Sequence, residues 1–199
     1  MQPQVVCVYA NLTEVDEYLR PYCYDSDNQP QLLRPQSQVT RALVRWCLEK
    51  YWSLPAQQVS FSRDQHGAVE LWVGKKQWSV SVSHTDDCCA VAIARTGELG
   101  IDCERILERR QRVRLQQRFA DGYMQGVSSL EQFFERWTAA EAVTKAKRGA
   151  LMPTLASPLA GLEPHLYWHR YESWQLCCYS TASNSPPQWI DFSKDNHLS

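Results

Sequence analysis

Apolar and polar residues alternate over Trp78-Ser-Val80-Ser-Val82-Ser83, the period-two pattern of a strand with one buried face. The run ends at His84-Thr85-Asp86-Asp87, which reads as a turn. Leu99-Gly-Ile-Asp102-Cys-Glu104 has the same period, so Ile101 and Cys103 point one way and Asp102 and Glu104 the other. Further on the period lengthens to that of a helix. Leu130, Phe133, Phe134 and Trp137 form a stripe that, continued by a turn, reaches Glu141 and then Lys145. Ser129 and Gln132 predict a capping box at its start, and Gly149 its end.

Weaker patterns fill in the rest. Residues 5–10 read as an apolar strand. Residues 37–52 read as a helix capped by Ser37, with Val39, Leu43, Trp46 and Cys47 on one face. Residues 61–94 are strand-rich and close on a turn, Arg95-Thr96-Gly97-Glu98. Residues 105–118 carry six arginines and read as helical, and residues 165–180 as a hairpin. From Thr181 a polar tail with Pro186-Pro187 reads as loosely held, except at Trp189-Ile190. His165 and His169 have the spacing of a helical zinc pair, but their strand-like surroundings argue against metal binding.

With 199 residues, 44% hydrophobic and eight tryptophans, the chain can bury one substantial core or two small lobes. A net charge of −1 argues against a general nucleic-acid binder. No apolar run approaches the ~20 residues of a membrane span, and residues 1–6 lack the pattern of a signal peptide. A cytoplasmic protein with no membrane partner is the expectation. The eight cysteines include two adjacent pairs, Cys88-Cys89 and Cys177-Cys178, and no C-x-x-C. Neighbours on a strand face opposite ways, so reduced, mostly buried thiols are expected.

The chemistry lies in the carboxylates. Asp102 and Glu104, two apart on a strand, sit ~7 Å from each other, close enough to converge on one ion. They repel, and a hard divalent cation is the usual relief. Neutralising Asp102 is therefore expected to ease the metal-free protein. Glu141 lies on the apolar stripe of a helix, where a carboxylate needs a partner, and a third metal ligand is one such role. An ordinary ion pair between Glu141 and Lys145 is the simpler alternative, contributing ~0.3–0.5 kcal/mol.

Gly-Ile-Asp102-x-Glu104, followed by Trp137-x3-Glu141-x3-Lys145, resembles the phosphopantetheinyl transferases. The likeness is to the surfactin-synthetase-activating branch and its short bacterial holo-acyl-carrier-protein synthase type, and it covers residues 36–151. Ser83-His84-Thr85 matches the Ser-His-Ser that ends the equivalent strand. The resemblance implies an α+β fold of two similar lobes related by a pseudo-twofold. Residues 1–98 would form the N-terminal lobe. Residues 99–199 would form the C-terminal lobe with the metal-binding motifs and the loose tail from about 181. It also implies magnesium, with manganese as an alternative ion, on Asp102, Glu104 and Glu141. Coenzyme A would be bound by Ser83, His84 and Lys145, and Glu141 and Lys145 would be the catalytic pair. The implied activity is transfer of phosphopantetheine from coenzyme A to a serine of an acyl or peptidyl carrier protein, by a monomer.

The chain departs from that pattern at three cationic positions. Ala68 and Ala140 stand where lysine is usual, and Gln36 where an arginine faces the adenosine-end phosphate; Arg34 or Arg41 are the candidates to replace it. These losses leave open a weakened relative that binds carrier protein or nucleotide without transfer. A magnesium-dependent phosphodiesterase or nuclease would use the same carboxylates but has no need of the Ser-His strand. The arginines of residues 105–118 form either a solvated face or a dock for an acidic carrier helix.

Overall fold

The computed structural model describes residues 2–11, 16–23 and 35–195. It is a mixed α+β structure with two sheets. Strands β1 (Val5–Asn11), β2 (Val59–Arg63), β3 (Val69–Val73), β4 (Lys76–His84), β5 (Cys88–Ala94) and β9 (Gln188–Asp191) form the first, in the order β2-β3-β4-β5-β1-β9. Its pairs are antiparallel except β1 with β9. Strands β6 (Leu99–Arg105), β7 (Leu166–Tyr171) and β8 (Trp174–Ser180) form the second, antiparallel in the order β6-β8-β7. The helices are α1 (Asp16–Leu19), α2 (Pro35–Trp52), α3 (Arg112–Arg118), α4 (Leu130–Ala146), α5 (Leu151–Ala156) and α6 (Phe192–Asp195).

Side-chain alternation sorts the strands into layers. On β1, Val6, Val8 and Ala10 join α2 in one core, while Val5, Cys7 and Tyr9 face the other sheet. On β5, Cys89, Val91 and Ile93 face α2, and Cys88, Ala90, Ala92 and Ala94 face the second sheet. Strand β8 divides likewise, Cys177 and Tyr179 towards α4 and Leu176 and Cys178 towards the first sheet. The layers therefore run α2, first sheet, second sheet, α4. Strands buried on both faces favour apolar residues throughout, which is why β5 reads as a continuous apolar run; β8, equally buried, is apolar except at Gln175 and Ser180. All eight cysteines are free thiols, and seven of them are buried, as the sequence implied.

Helix α4 lies against its sheet with little space at Gly100 of β6. A Cβ there would overlap the carbonyl oxygen of Ala142. That glycine lets the helix backbone rest on the strand carrying Asp102 and Glu104. The capping box at Ser129 and Gln132 forms as the sequence predicts.

Other boundaries move. Helix α2 begins at Pro35, and Ser37 lies inside it rather than capping it; proline suits a first turn because its missing N–H has no partner there. Only residues 112–118 of the arginine-rich segment are α-helical. The tail is not loosely held over residues 188–195. Gln188–Asp191 pairs with β1, Ile190 and Phe192 are buried, and Asp195 Oδ2 lies 2.9 Å from Lys50 Nζ. The first sheet thus takes its edge strand from the end of the chain, and a boundary at residue 98 does not enclose it. Among the described residues, no helix is long and apolar enough to cross a membrane.

Candidate functional site

Three elements far apart in sequence meet at Asp102. The strand period turns Ile101 and Cys103 into the core between the sheets and Asp102 towards α4, where it is 5% exposed. Lys145, at the end of α4, donates from Nζ to Asp102 Oδ1 at 2.7 Å, to Ser83 Oγ at 3.0 Å and to the Ile101 carbonyl at 3.0 Å. Ser83 Oγ in turn donates to Asp102 Oδ1 at 2.8 Å. Strand β4 also meets β6 through Ser81, whose Oγ accepts from the Ile101 N–H at 2.9 Å. The serines of the alternating run therefore face β6, and they join the two sheets.

Glu104 lies further along the same face. Its Oε1 accepts from the Trp137 indole N–H at 3.2 Å, and its Oε2 lies 2.5 Å from Nη2 of Arg109. Glu141, on α4, is half-buried and makes no hydrogen bond among the described residues. Burial, and after it the charge of Asp102, raises the Glu104 and Glu141 carboxyls above their ordinary range. Burial alone would lower the Lys145 ammonium, but the Asp102 carboxylate raises it. The three carboxylates thus form one electrostatic cluster, with Lys145 as its internal counter-charge.

As the side chains stand, no group of three or more His, Cys, Asp or Glu among the described residues is gathered closely enough to hold a metal. Lys145 and Arg109 each pair with one of the carboxylates. The donor chemistry nonetheless suits a hard cation. All three groups offer carboxylate oxygens, and Asp102 Oδ2 is buried with no hydrogen-bond partner among the described residues. A cation on Asp102, Glu104 and Glu141 would satisfy that orphaned acceptor.

His84 is not part of this group. It is exposed at the end of β4 and lines a 140 Å³ pocket with Ser37, Thr40, Arg41 and Arg63. A second cleft of 690 Å³ runs past Gly67, Ala68, Lys145 and Arg148. Arg63, Val69 and Val82 line both, so the cavity beside Lys145 and the one beside His84 adjoin. Arg41, on α2, lies in the His84 pocket; Arg34 and its alternative role fall outside the described residues. Sequence reasoning missed Arg63 and Arg148, and it weighed Arg109 only as part of a solvated face or a dock, not as a partner of Glu104. Arg63 donates to the Gly67 carbonyl at 2.6 Å, and Arg148 pairs with Asp64 across the cleft. No spacing rule flags such cations, because their placement depends on loops meeting in space.

No protein-family model matches this chain, and no curated protein matches it.

Proposed function

We propose that this protein transfers the phosphopantetheine arm of coenzyme A to a serine of an acyl or peptidyl carrier protein, with the two-lobed fold of the phosphopantetheinyl transferases. The observation that carries the reading is the hydrogen-bonded set Ser83, Asp102 and Lys145, with the orphaned Asp102 Oδ2 beside Glu104 and Glu141. It joins the three motifs on which the resemblance rests. Each sheet also packs against one long helix, α2 or α4, which suits the two-lobed architecture.

The adjoining cavities support the substrate class. Coenzyme A is an elongated polyanion, and the two cavities offer Lys145, Arg148, Arg63, Arg41 and His84 along their length. Arg63, which donates to the Gly67 carbonyl, places positive charge beside Ala68, where the family lysine is missing; the charge of Arg148 is met by Asp64. Lys145, its ammonium already held by Asp102, Ser83 and the Ile101 carbonyl, would act on the diphosphate through its charge and stabilise the departing phosphate. Glu141, unpaired and with its pKa raised, would accept the proton of the carrier serine. The serine oxygen would bond to the pantetheine-side phosphorus as the bond to the bridging oxygen breaks, releasing adenosine 3′,5′-bisphosphate. Magnesium, held by Asp102, Glu104 and Glu141, would neutralise the diphosphate charge when bound.

The test is a mass spectrum of an apo carrier protein after incubation with this protein, coenzyme A and magnesium. A mass gain equal to phosphopantetheine is the expected result. Carrier protein recovered unmodified, but retained on the protein in a complex, would favour the non-transferring relative.

A further inference from the structure

Two of the three carboxylates are already held by cations of the chain itself, and the two cations are held very differently. Lys145 projects from a packed helix and is fixed by three acceptors, Asp102, Ser83 and the Ile101 carbonyl. Arg109 comes from the irregular segment between β6 and α3, and its side chain is 37% exposed. Its Nη2 and Nη1 approach Oε2 and Oε1 of Glu104 at 2.5 and 3.5 Å, a fork laid across the carboxylate. The guanidinium also lies over the Phe134 ring, 5.1 Å from its centre. Glu104 is thus engaged on both oxygens, while Asp102 Oδ2 and Glu141 make no hydrogen bond among the described residues.

We propose that Arg109 is a resident counter-ion of Glu104 that competes with a divalent cation for this carboxylate, so that cation uptake requires its guanidinium to swing outward. The inference rests on the three-carboxylate site proposed above and concerns an arginine outside that site's ligand set. Charge favours the exchange. With Lys145 and Arg109 in place, the three carboxylates retain one uncompensated negative charge. A divalent ion that displaced Arg109 would leave the cluster neutral, whereas one that entered beside it would leave excess positive charge. Arg109 is carried by an irregular segment and held by one carboxylate, which gives its half-buried side chain somewhere to go; Lys145, tied to β4 and β6 by three acceptors, has no such freedom.

The apparent affinity for the cation is the intrinsic affinity multiplied by the fraction of molecules whose Glu104 is free of Arg109. Manganese binding, followed by the loss of the free-ion EPR signal on titrating the full chain, reads this without any turnover. Arg109→Gln should bind manganese about three- to tenfold more tightly than the unsubstituted protein. Arg109→Lys, which keeps the charge but loses the fork, should fall between. Arg112→Gln removes an arginine paired with Glu108 and should leave the affinity unchanged. In a magnesium titration, the Trp137 indole N–H resonance, identified by its absence in Trp137→Phe, should shift at lower magnesium in Arg109→Gln. Circular dichroism checks that Arg109→Gln is folded; if it is not, Arg109→Lys decides. Unchanged manganese affinity in Arg109→Gln would overturn the proposal, as would equal tightening in Arg112→Gln. If the unsubstituted protein binds manganese, Asp102→Asn does not, and carrier protein is modified, that failure leaves the proposed function standing. If no variant binds manganese, the three-carboxylate site falls and this inference with it.

Discussion

At the scale of single residues, Asp102 shows how a local reading and a folded one diverge. The strand period correctly places Asp102 and Glu104 on one face, and from repulsion alone neutralising Asp102 should relieve the metal-free protein. The structure reverses that expectation, because Lys145 already sits 2.7 Å from Oδ1. Removing the charge would strand a largely buried ammonium. Asp102→Asn should therefore abolish carrier modification and also lower unfolding stability by about 1–3 kcal/mol, a buried-pair loss discounted for the 30% exposure of the Lys145 side chain. Urea denaturation without added metal checks the second part. A variant as stable as the parent would mean that the pair contributes nothing. Glu141 and Lys145 were legible as outliers on an apolar stripe. Arg109 was not, because its partner Glu104 lies on another element and only the course of residues 106–111 brings them together.

At the scale of elements, the helix carrying Glu141 and Lys145 is positioned by a residue with no side chain. Periodicity and the capping box locate α4 along the chain, but its distance from β6 is set by Gly100. Gly100→Ala should force the helix away from the strand and cost about 1–3 kcal/mol, as overpacking in a tight contact does. It should also weaken the Lys145–Asp102 contact, so carrier modification should fall by more than the loss of folded protein explains. A variant with the parent's urea midpoint and full activity would show that the helix shifts freely. The arginine-rich segment and the tail were misjudged for related reasons. A run of arginines suggests a solvated helix, but Arg105, Arg109 and Arg112 are paired with Asp87, Glu104 and Glu108, and most of residues 106–111 follow those contacts. The polar tail shows little pattern of its own; Ile190 and Phe192 gain burial only because β1 and α2 offer them a surface.

At the scale of the whole molecule, the core between the sheets and the exposed basic surface make separate predictions. Seven thiols are buried, and burial raises Cys47 and Cys89 far above the ordinary thiol range, so they resist forming the reactive thiolate. Ellman's reagent should titrate one thiol, Cys23, in the native protein and eight in guanidinium. Two or more fast native thiols would mean that the sheets separate readily. On the surface, Arg110 and Arg114 are exposed and make no ion pair among the described residues, and Leu107 and Val113 beside them are exposed apolar side chains. If an acidic carrier protein docks here, Arg110→Glu with Arg114→Glu should raise the KM for carrier protein and leave that for coenzyme A unchanged. The difference should shrink with salt, as screening at a Debye length of ~8 Å requires. Equal kinetics at low salt would leave these arginines as a solvated face.

Local pattern was enough to locate the principal elements, the faces of β4 and β6, the capped start of α4 and the residues that chemistry singles out. Those features depend on neighbours within a few positions, where backbone periodicity acts directly. Which residues meet was decided only when the sheets stacked and the loops closed. That Ser83 joins Asp102 while His84 turns to Arg41 and Arg63 follows from alternation on β4, but the partners waiting on each side come from residues 19 to 62 positions away. The return of residues 188–191 to β1, the approach permitted by Gly100 and the clasp of Arg109 on Glu104 are all long-range contacts. Their energies come from burial and charge shared between distant segments, and no single segment records them.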